Sequence, residues 1–343
     1  MTEGVFHDFN LSVIAKQAEK VLSKYIDEKN LKVKPWDEKI CEEFSHVSLD
    51  DLLFNDYFLG FMLKKEFVYT GAIDTIYEIW DLYKKGNLKH VVLLWAIGGG
   101  KTTVNALLQW LQWYDLVTLA YDFRNTLKLL IRKPICQIQM SKDETKARRV
   151  TFESIYPLFQ CPFNRDYFPP DPRTRSRIEI TRNSTTIFPG TGVAASAQGY
   201  DIFGACLDEA ATMRVVQDSK YGETSAGKYD TAFDVWNEID QRVSSRFSDK
   251  SGMIVMISQR KSGNEFVENF AKRIESGKIE RGYVKKLAFW DCVGWNNKKF
   301  FPSGDKIYMN TKNYQIIDNP KEVKELEKRK MENGKNSQYL STM

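Results

Sequence analysis

The stretch that most constrains this chain is Val91-Val-Leu-Leu-Trp-Ala-Ile-Gly98-Gly99-Gly100-Lys101-Thr102-Thr103. An apolar segment of strand length runs into three glycines, then Lys-Thr-Thr, then a long apolar segment of helical period over 102–121. Glycines let the backbone wrap closely around an anion with several N–H groups pointing inward. The N-terminus of the helix that follows presents more donors to the same anion. On this reading Ala96, Ile97, Gly98, Gly99, Gly100, Lys101, Thr102 and Thr103 cradle the phosphates of ATP. Lys101 neutralises the β- and γ-phosphates, and the Thr102 hydroxyl ligates Mg²⁺. The full spacing of such a loop puts glycine six positions before the lysine, where this chain has Trp95.

A second apolar segment, Ile202-Phe-Gly-Ala-Cys-Leu207, ends in Asp208-Glu209. Opposite a phosphate loop, the first acid suits a hydrated magnesium and the second suits the attacking water. Asp208 is therefore a metal candidate and Glu209 a general base, acting with Lys101 as the catalytic pair. A third segment, Met253-Ile-Val-Met-Ile-Ser258-Gln259, ends in polar groups that can sense the γ-phosphate and pass that contact on.

The rest of the pattern sets the architecture. Helical spacing covers residues 9–30, 71–85, 142–159, 230–247 and 265–276. Strand-like runs cover 135–140, 177–181, 185–188, 203–207, 253–258 and 284–289, and the proline-rich 168–177 reads as a loop. Strands that are apolar on both faces and alternate with helices predict an α/β fold with a mostly parallel central sheet flanked by helices. Hydrophobic residues make up 42% and charged residues 28%, which excludes wholesale disorder. Five cysteines without short spacings predict reduced, buried thiols, and three histidines exclude a structural zinc. No apolar run is long enough to span a bilayer and the first thirty residues carry scattered charge, so a soluble cytoplasmic chain without membrane partners is expected.

With their surroundings, these three elements resemble the ATPase domain of the large terminase subunit of tailed bacteriophages. The resemblance is carried by Trp95–Thr103 as Walker A, by Leu207–Glu209 within QGYDIFGACLDEAA as Walker B and catalytic glutamate, and by Ile257–Gln259 as the coupling motif. The Ser184–Gly190 stretch (STTIFPG) leads into them. It implies a P-loop NTPase of the ASCE/RecA-like kind with a helical N-terminal region. The expected division is a helical extension at 1–65, the ATPase domain at 66–320 and a charged linker or tail at 321–343. It also implies a motor that translocates double-stranded viral DNA into a prohead in the host cell cytoplasm. Its partners would be the portal protein and the small terminase subunit. The assembled form would be a homo-oligomeric ring and the isolated chain a monomer.

The chain departs from that family in three places. Ile97 and Gln198 stand where many members carry arginines, so another arginine is expected to complete the site in trans. Arg149, Arg214, Arg242, Arg246 and Arg260 are the candidates. The RNase H-like nuclease that usually follows is expected to be absent, since Asp291, Asp305 and Asp318 lack a strand-end arrangement.

A basic cluster at Lys142, Lys146, Arg148 and Arg149 places Lys142, Lys146 and Arg149 on one face of a regular helix, a candidate DNA contact. A second cluster holds Arg173, Arg175, Arg177 and Arg182. Trp110 and Trp113 read as core. Two other function classes stay open. A DExx-type helicase would need a second RecA-like domain, for which few residues remain after Gln259. A nucleotide-dependent switch without significant turnover is compatible with the two missing arginines.

Overall fold

The computed structural model describes residues 33–294 apart from 65–67, 130–132, 143, 175, 192–196, 198, 214, 218–227, 248–251 and 260–265. Two further short strands are described at Tyr308–Met309 and Ser341–Thr342. The helix expected at 9–30, the tail from 321 apart from 341–342, and Gln198, Arg214 and Arg260 lie outside the described residues.

Helices α1 (Glu38–Ser45) and α2 (Leu49–Phe54) begin where Asp37 and Ser48 accept hydrogen bonds from backbone N–H groups of the first turn. Helix α3 (Thr70–Lys84) stops before Gly86, whose φ of 72° ends the helical path. Strand β1 (His90–Trp95) is buried along its length and opens through the glycine turn into α4 (Lys101–Thr118). A short α5 (Phe123–Thr126) leads to β2 (Ile135–Ser141). Helix α6 follows in three pieces: Glu144–Lys146 α-helical, Ala147–Phe152 π-helical and Glu153–Ile155 α-helical, with a 3₁₀ turn at Tyr156–Gln160 and then α7 (Pro162–Tyr167).

Strands β3 (Ile178–Ile180), β4 (Thr185–Thr191) and β5 (Asp201–Asp208) come next. A small hairpin of β6 (Val215–Gln217) and β7 (Lys228–Asp230) precedes α8 (Thr231–Phe247). The chain then forms β8 (Met253–Ser258), α9 (Phe266–Glu275), β9 (Gly282–Leu287) and α10 (Phe289–Val293).

The seven-stranded sheet has the order β3-β4-β2-β5-β8-β1-β9. Every neighbouring pair is parallel except β3 with β4. The expected fold class, a mostly parallel sheet flanked by helices, is therefore the one observed. Parallel strands covered on both faces have to be apolar throughout, and β1, β2, β5 and β8 are buried at every position. The described part of the N-terminal region shares this core. Trp36, Leu52, Leu53, Phe58 and Leu59 belong to one buried cluster with Trp110, Trp113 and the strands. All five cysteines are buried and unpaired. No described helix is long and apolar enough to cross a membrane.

One expectation needs correction. The helix read over 142–159 as regular is broken, and Lys142 precedes it in a bend. Because a π-helical turn takes more residues than an α-helical one, the three- and four-residue spacing that put Lys142, Lys146 and Arg149 on one face does not apply.

Beneath the site, α4 is fastened to the sheet by amides. Gln112 Nε2 donates to the Phe203 carbonyl at 2.7 Å, and Gln137 Nε2 donates to the Gln109 carbonyl at 2.9 Å and to Gln112 Oε1 at 3.2 Å. Gln139 Nε2 reaches Gln109 Oε1 at 3.4 Å, and Asn105 Nδ2 reaches Gln139 Oε1 at 3.3 Å. All five amide residues are fully buried. Gly204 faces this ladder, and a Cβ there would collide with the Gln112 amide.

Candidate nucleotide site

The sheet order brings the predicted residues to one edge. A single strand, β8, separates β1 from β5. At about 4.8 Å per strand, the two strand ends therefore lie roughly 10 Å apart. Side chains alternate along a strand, so Asp208 faces the same side as Gly204, the side that α4 covers. Lys101 and Thr102 open α4 above it. The glycine turn and the acidic strand end thus meet across a gap of about the size of a polyphosphate.

The glycine turn is shaped by its backbone and neighbours. Gly98 and Gly100 hold φ of 75° and 85°, conformations that side chains rarely adopt. Gly99 is pressed by α10, where a Cβ would sit 2.7 Å from Cys292 Sγ. Burial pushes the Cys292 thiol up to about 12, so it packs as a neutral group. Phe289 and Tyr69 flank Gly98 and Gly100. Ile97, at the turn's tip, is 71% exposed. Lys101 folds back on its own loop, its Nζ donating to the carbonyls of Trp95 at 3.0 Å and Ala96 at 2.7 Å. Burial holds its ammonium below the ordinary lysine value, while Asp208 and Glu209 pull in the opposite direction. Thr102 and Thr103 are both half-buried.

On the acidic side, Asp208 is buried, and desolvation raises its carboxyl above the usual aspartate value. The Thr151 hydroxyl donates to its Oδ2 at 3.1 Å and opposes that shift. Glu209 has φ 50° and ψ 36°, a left-handed conformation uncommon outside glycine. Its Oε2 pairs with Lys146 Nζ at 2.9 Å. The following turn is tied to the neighbouring strand, as the Ala211 N–H donates to Ser258 Oγ at 3.2 Å. Ser258 therefore contacts the segment that carries Glu209, and Gln259 follows it half-buried.

The donor set suits a small hard cation. Thr102 and Asp208 offer a hydroxyl and a carboxylate, and Ser141, at the adjoining end of β2, has a buried hydroxyl without a hydrogen-bond partner. Among the described residues no three of His, Cys, Asp and Glu gather to hold a metal alone. Magnesium takes one or two protein oxygens and completes its shell with phosphates and water.

The remaining candidates divide. Lys146, a candidate DNA contact from the sequence, pairs with Glu209. Lys142 and Arg149 are exposed, as is Arg148. Arg242 is held by Glu238 in an ion pair at 2.6 Å and Arg246 by Asp201 at 2.7 Å. Asp201 begins β5 and Asp208 ends it, so Arg246 stands at the far edge of the sheet and cannot reach its own chain's phosphate loop. In the second basic cluster, Arg173 pairs with Asp171 and Arg177 with Glu179. Arg182 donates to the carbonyls of Lys34 and Tyr167. Trp110 and Trp113 are core, with their N–H groups on Asn164 and Thr185. Sequence reasoning missed Thr151, Cys292 and the Lys146–Glu209 pair, because each is a long-range contact with no local signature.

Among solved structures, the chain is similar to the HK97 bacteriophage large terminase, at 12% identity and a TM-score of 0.46, covering 68% of this chain and 42% of that one. It is similar to a large terminase from a thermophilic bacteriophage in complex with ADP, at 9% identity and a TM-score of 0.42, covering 65% and 46%. It is also similar to the Thermus phage P74-26 large terminase ATPase domain, at 14% identity and a TM-score of 0.41, covering 65% and 84%. The chain thus spans less than half the length of the first two. No protein-family model and no curated protein matches the sequence.

Proposed function

We propose that this chain is a magnesium-dependent ATPase and that its hydrolysis drives packaging of double-stranded viral DNA, as in large terminases. The observation that carries the hydrolase reading is the position of Asp208, on the side of α4 with Glu209 next to it, at the end of a strand that a single strand separates from the one leading into the glycine turn. The packaging assignment rests on the sequence resemblance of the three motifs. The reading extends to the domain division at 65 and 320, to a ring of copies, and to portal and small-subunit partners.

In this mechanism Ala96 to Thr103 bind the triphosphate. Lys101 exchanges the Trp95 and Ala96 carbonyls for phosphate oxygens, which offer it full negative charge. Thr102 and Asp208 would hold magnesium, which when bound neutralises charge on the β- and γ-phosphates. Glu209 accepts a proton from the attacking water as the water oxygen bonds to the γ-phosphorus. The bond to the β–γ bridging oxygen breaks, and the proton passes from Glu209 to the released phosphate. Loss of the γ-phosphate then shifts the Ser258–Gln259 strand end, which touches the turn after Glu209.

Glu209 can serve as base only after its carboxylate leaves Lys146. Lys142, Lys146 and Arg149 lie on or beside one exposed element, so DNA phosphates that draw Lys146 outward would free Glu209. The test is steady-state ATP hydrolysis with and without double-stranded DNA, in the parent and in Glu209→Gln. DNA-stimulated turnover in the parent, lost in the variant with ATP binding retained, supports the reading. Equal rates in both would overturn it. The Lys146–Glu209 pair also favours a second reading, a nucleotide-dependent switch, which complete absence of turnover with DNA present would support.

A further inference from the structure

We propose that Thr151 is a positioning residue for the metal-binding carboxylate, orienting Asp208 through its hydroxyl. The proposal rests on the reading that Asp208 holds magnesium beside ATP. Thr151 is fully buried and Asp208 nearly so. A carboxylate taken out of water needs donors to stay charged and fixed. The Thr151 hydroxyl supplies one at 3.1 Å to Oδ2, and the Glu209 backbone N–H supplies another.

The backbone around Thr151 is built for that contact. In a regular helix a threonine hydroxyl commonly turns back to a carbonyl of the preceding turn. Here residue 151 lies in the π-helical stretch Ala147–Phe152, and its hydroxyl crosses to another element instead. The wide turn leaves Arg148, Arg149 and Val150 exposed while burying Thr151 and Phe152. π-Helical turns recur at functional sites because they redirect a side chain that a regular helix would aim elsewhere. The Thr151 carbonyl accepts from Ser154 Oγ at 2.6 Å, which fixes the turn from its other side. An Asp208 without this donor would keep its burial but lose its set orientation. Groups that orient a metal-binding carboxylate typically account for about 10-fold to 100-fold in metal affinity.

The experiment titrates Mg²⁺ into the full chain with a fluorescent ATP analogue present. Binding is followed in the parent, Thr151→Val, Thr151→Ala and Thr151→Ser, with melting temperature recorded for each. In Thr151→Val and Thr151→Ala the half-saturating Mg²⁺ should rise about 10-fold to 100-fold, while nucleotide binding in the presence of a chelator stays parental. Thr151→Ser, which keeps the hydroxyl, should restore the parental Mg²⁺ requirement. Parental Mg²⁺ dependence in whichever of Thr151→Val and Thr151→Ala folds would overturn the proposal, as would a Thr151→Ser variant as impaired as they are. If the parent shows no Mg²⁺-dependent nucleotide binding, the reading of the whole site falls, and with it this inference. If the parent binds and the Thr151→Val and Thr151→Ala variants behave like it, only the role of Thr151 is lost.

Discussion

Two helices flank the site, and they are built on opposite principles. Helix α4 is a regular helix, buried along most of its length and fastened to β2 and β5 by Asn105, Gln109 and Gln112. Helix α6 changes from α to π and back within a few residues, and it carries exposed basic groups. The first fixes the glycine turn against the sheet. The second holds the two acids by single side chains, Thr151 on Asp208 and Lys146 on Glu209. Buried amides in a network set register strictly, because each misplacement leaves a polar group unpaired. A half-exposed ion pair contributes little and exchanges readily. The phosphate side is thus the fixed half of the site and the acid side the adjustable half.

Variants can break or sharpen that contrast. Glu209→Gln is expected to lower kcat by about 10²–10⁴-fold with little change in ATP affinity, measured by single-turnover hydrolysis and equilibrium binding. Lys101→Ala, on the fixed side, should cost about 10²–10³-fold in kcat/KM and weaken ATP binding as well. Retained binding there would place the phosphates elsewhere. Gly204→Ala forces a methyl against the Gln112 amide. It should destabilise the fold by about 1–3 kcal/mol in chemical denaturation, whereas a change within error would mean that the ladder is loose.

Asp208→Asn sharpens the comparison through pH. Burial raises the folded carboxyl above its ordinary value of 3.8, so the folded state holds this proton more tightly than the unfolded chain does. Its contribution is full below 3.8 and is lost as pH rises through the raised folded value. The nucleotide-free variant should therefore melt above the parent at neutral pH, with the advantage vanishing in acid. The smallest stability effect belongs to Lys146→Met, whose half-exposed pair contributes less than about 1 kcal/mol. Its melting temperature should match the parent while turnover without DNA rises, in a coupled ATPase assay.

Much of the framework could be read from the residues. The apolar runs at 90–96, 203–207 and 253–258 became β1, β5 and β8 because strands covered on both faces need apolar side chains throughout. The approach of Lys101 and Asp208 was an expectation of the family resemblance, since each motif ends or follows an apolar strand, and the strand order brings those ends to one edge. The π-helical turn was not legible, since Glu144 to Tyr156 hold no glycine or proline to mark it, and the partners of Thr151 and Lys146 are distant in sequence. The amide ladder was also missed. Asn105, Gln109 and Gln112 lie three and four residues apart on an otherwise apolar helix, and Gly204 interrupts an apolar strand. That pairing of buried amides with a strand glycine was the available signal.

On the proposed mechanism, the glycine turn and the end of β5 close on one magnesium-bound triphosphate. A structure of the chain with Mg²⁺ and a non-hydrolysable ATP analogue tests it most directly. The account predicts Lys101 Nζ released from the Trp95 and Ala96 carbonyls onto phosphate oxygens, with the metal between Thr102 and Asp208. Phosphates bound elsewhere, with Lys101 still on its own loop carbonyls, would contradict it.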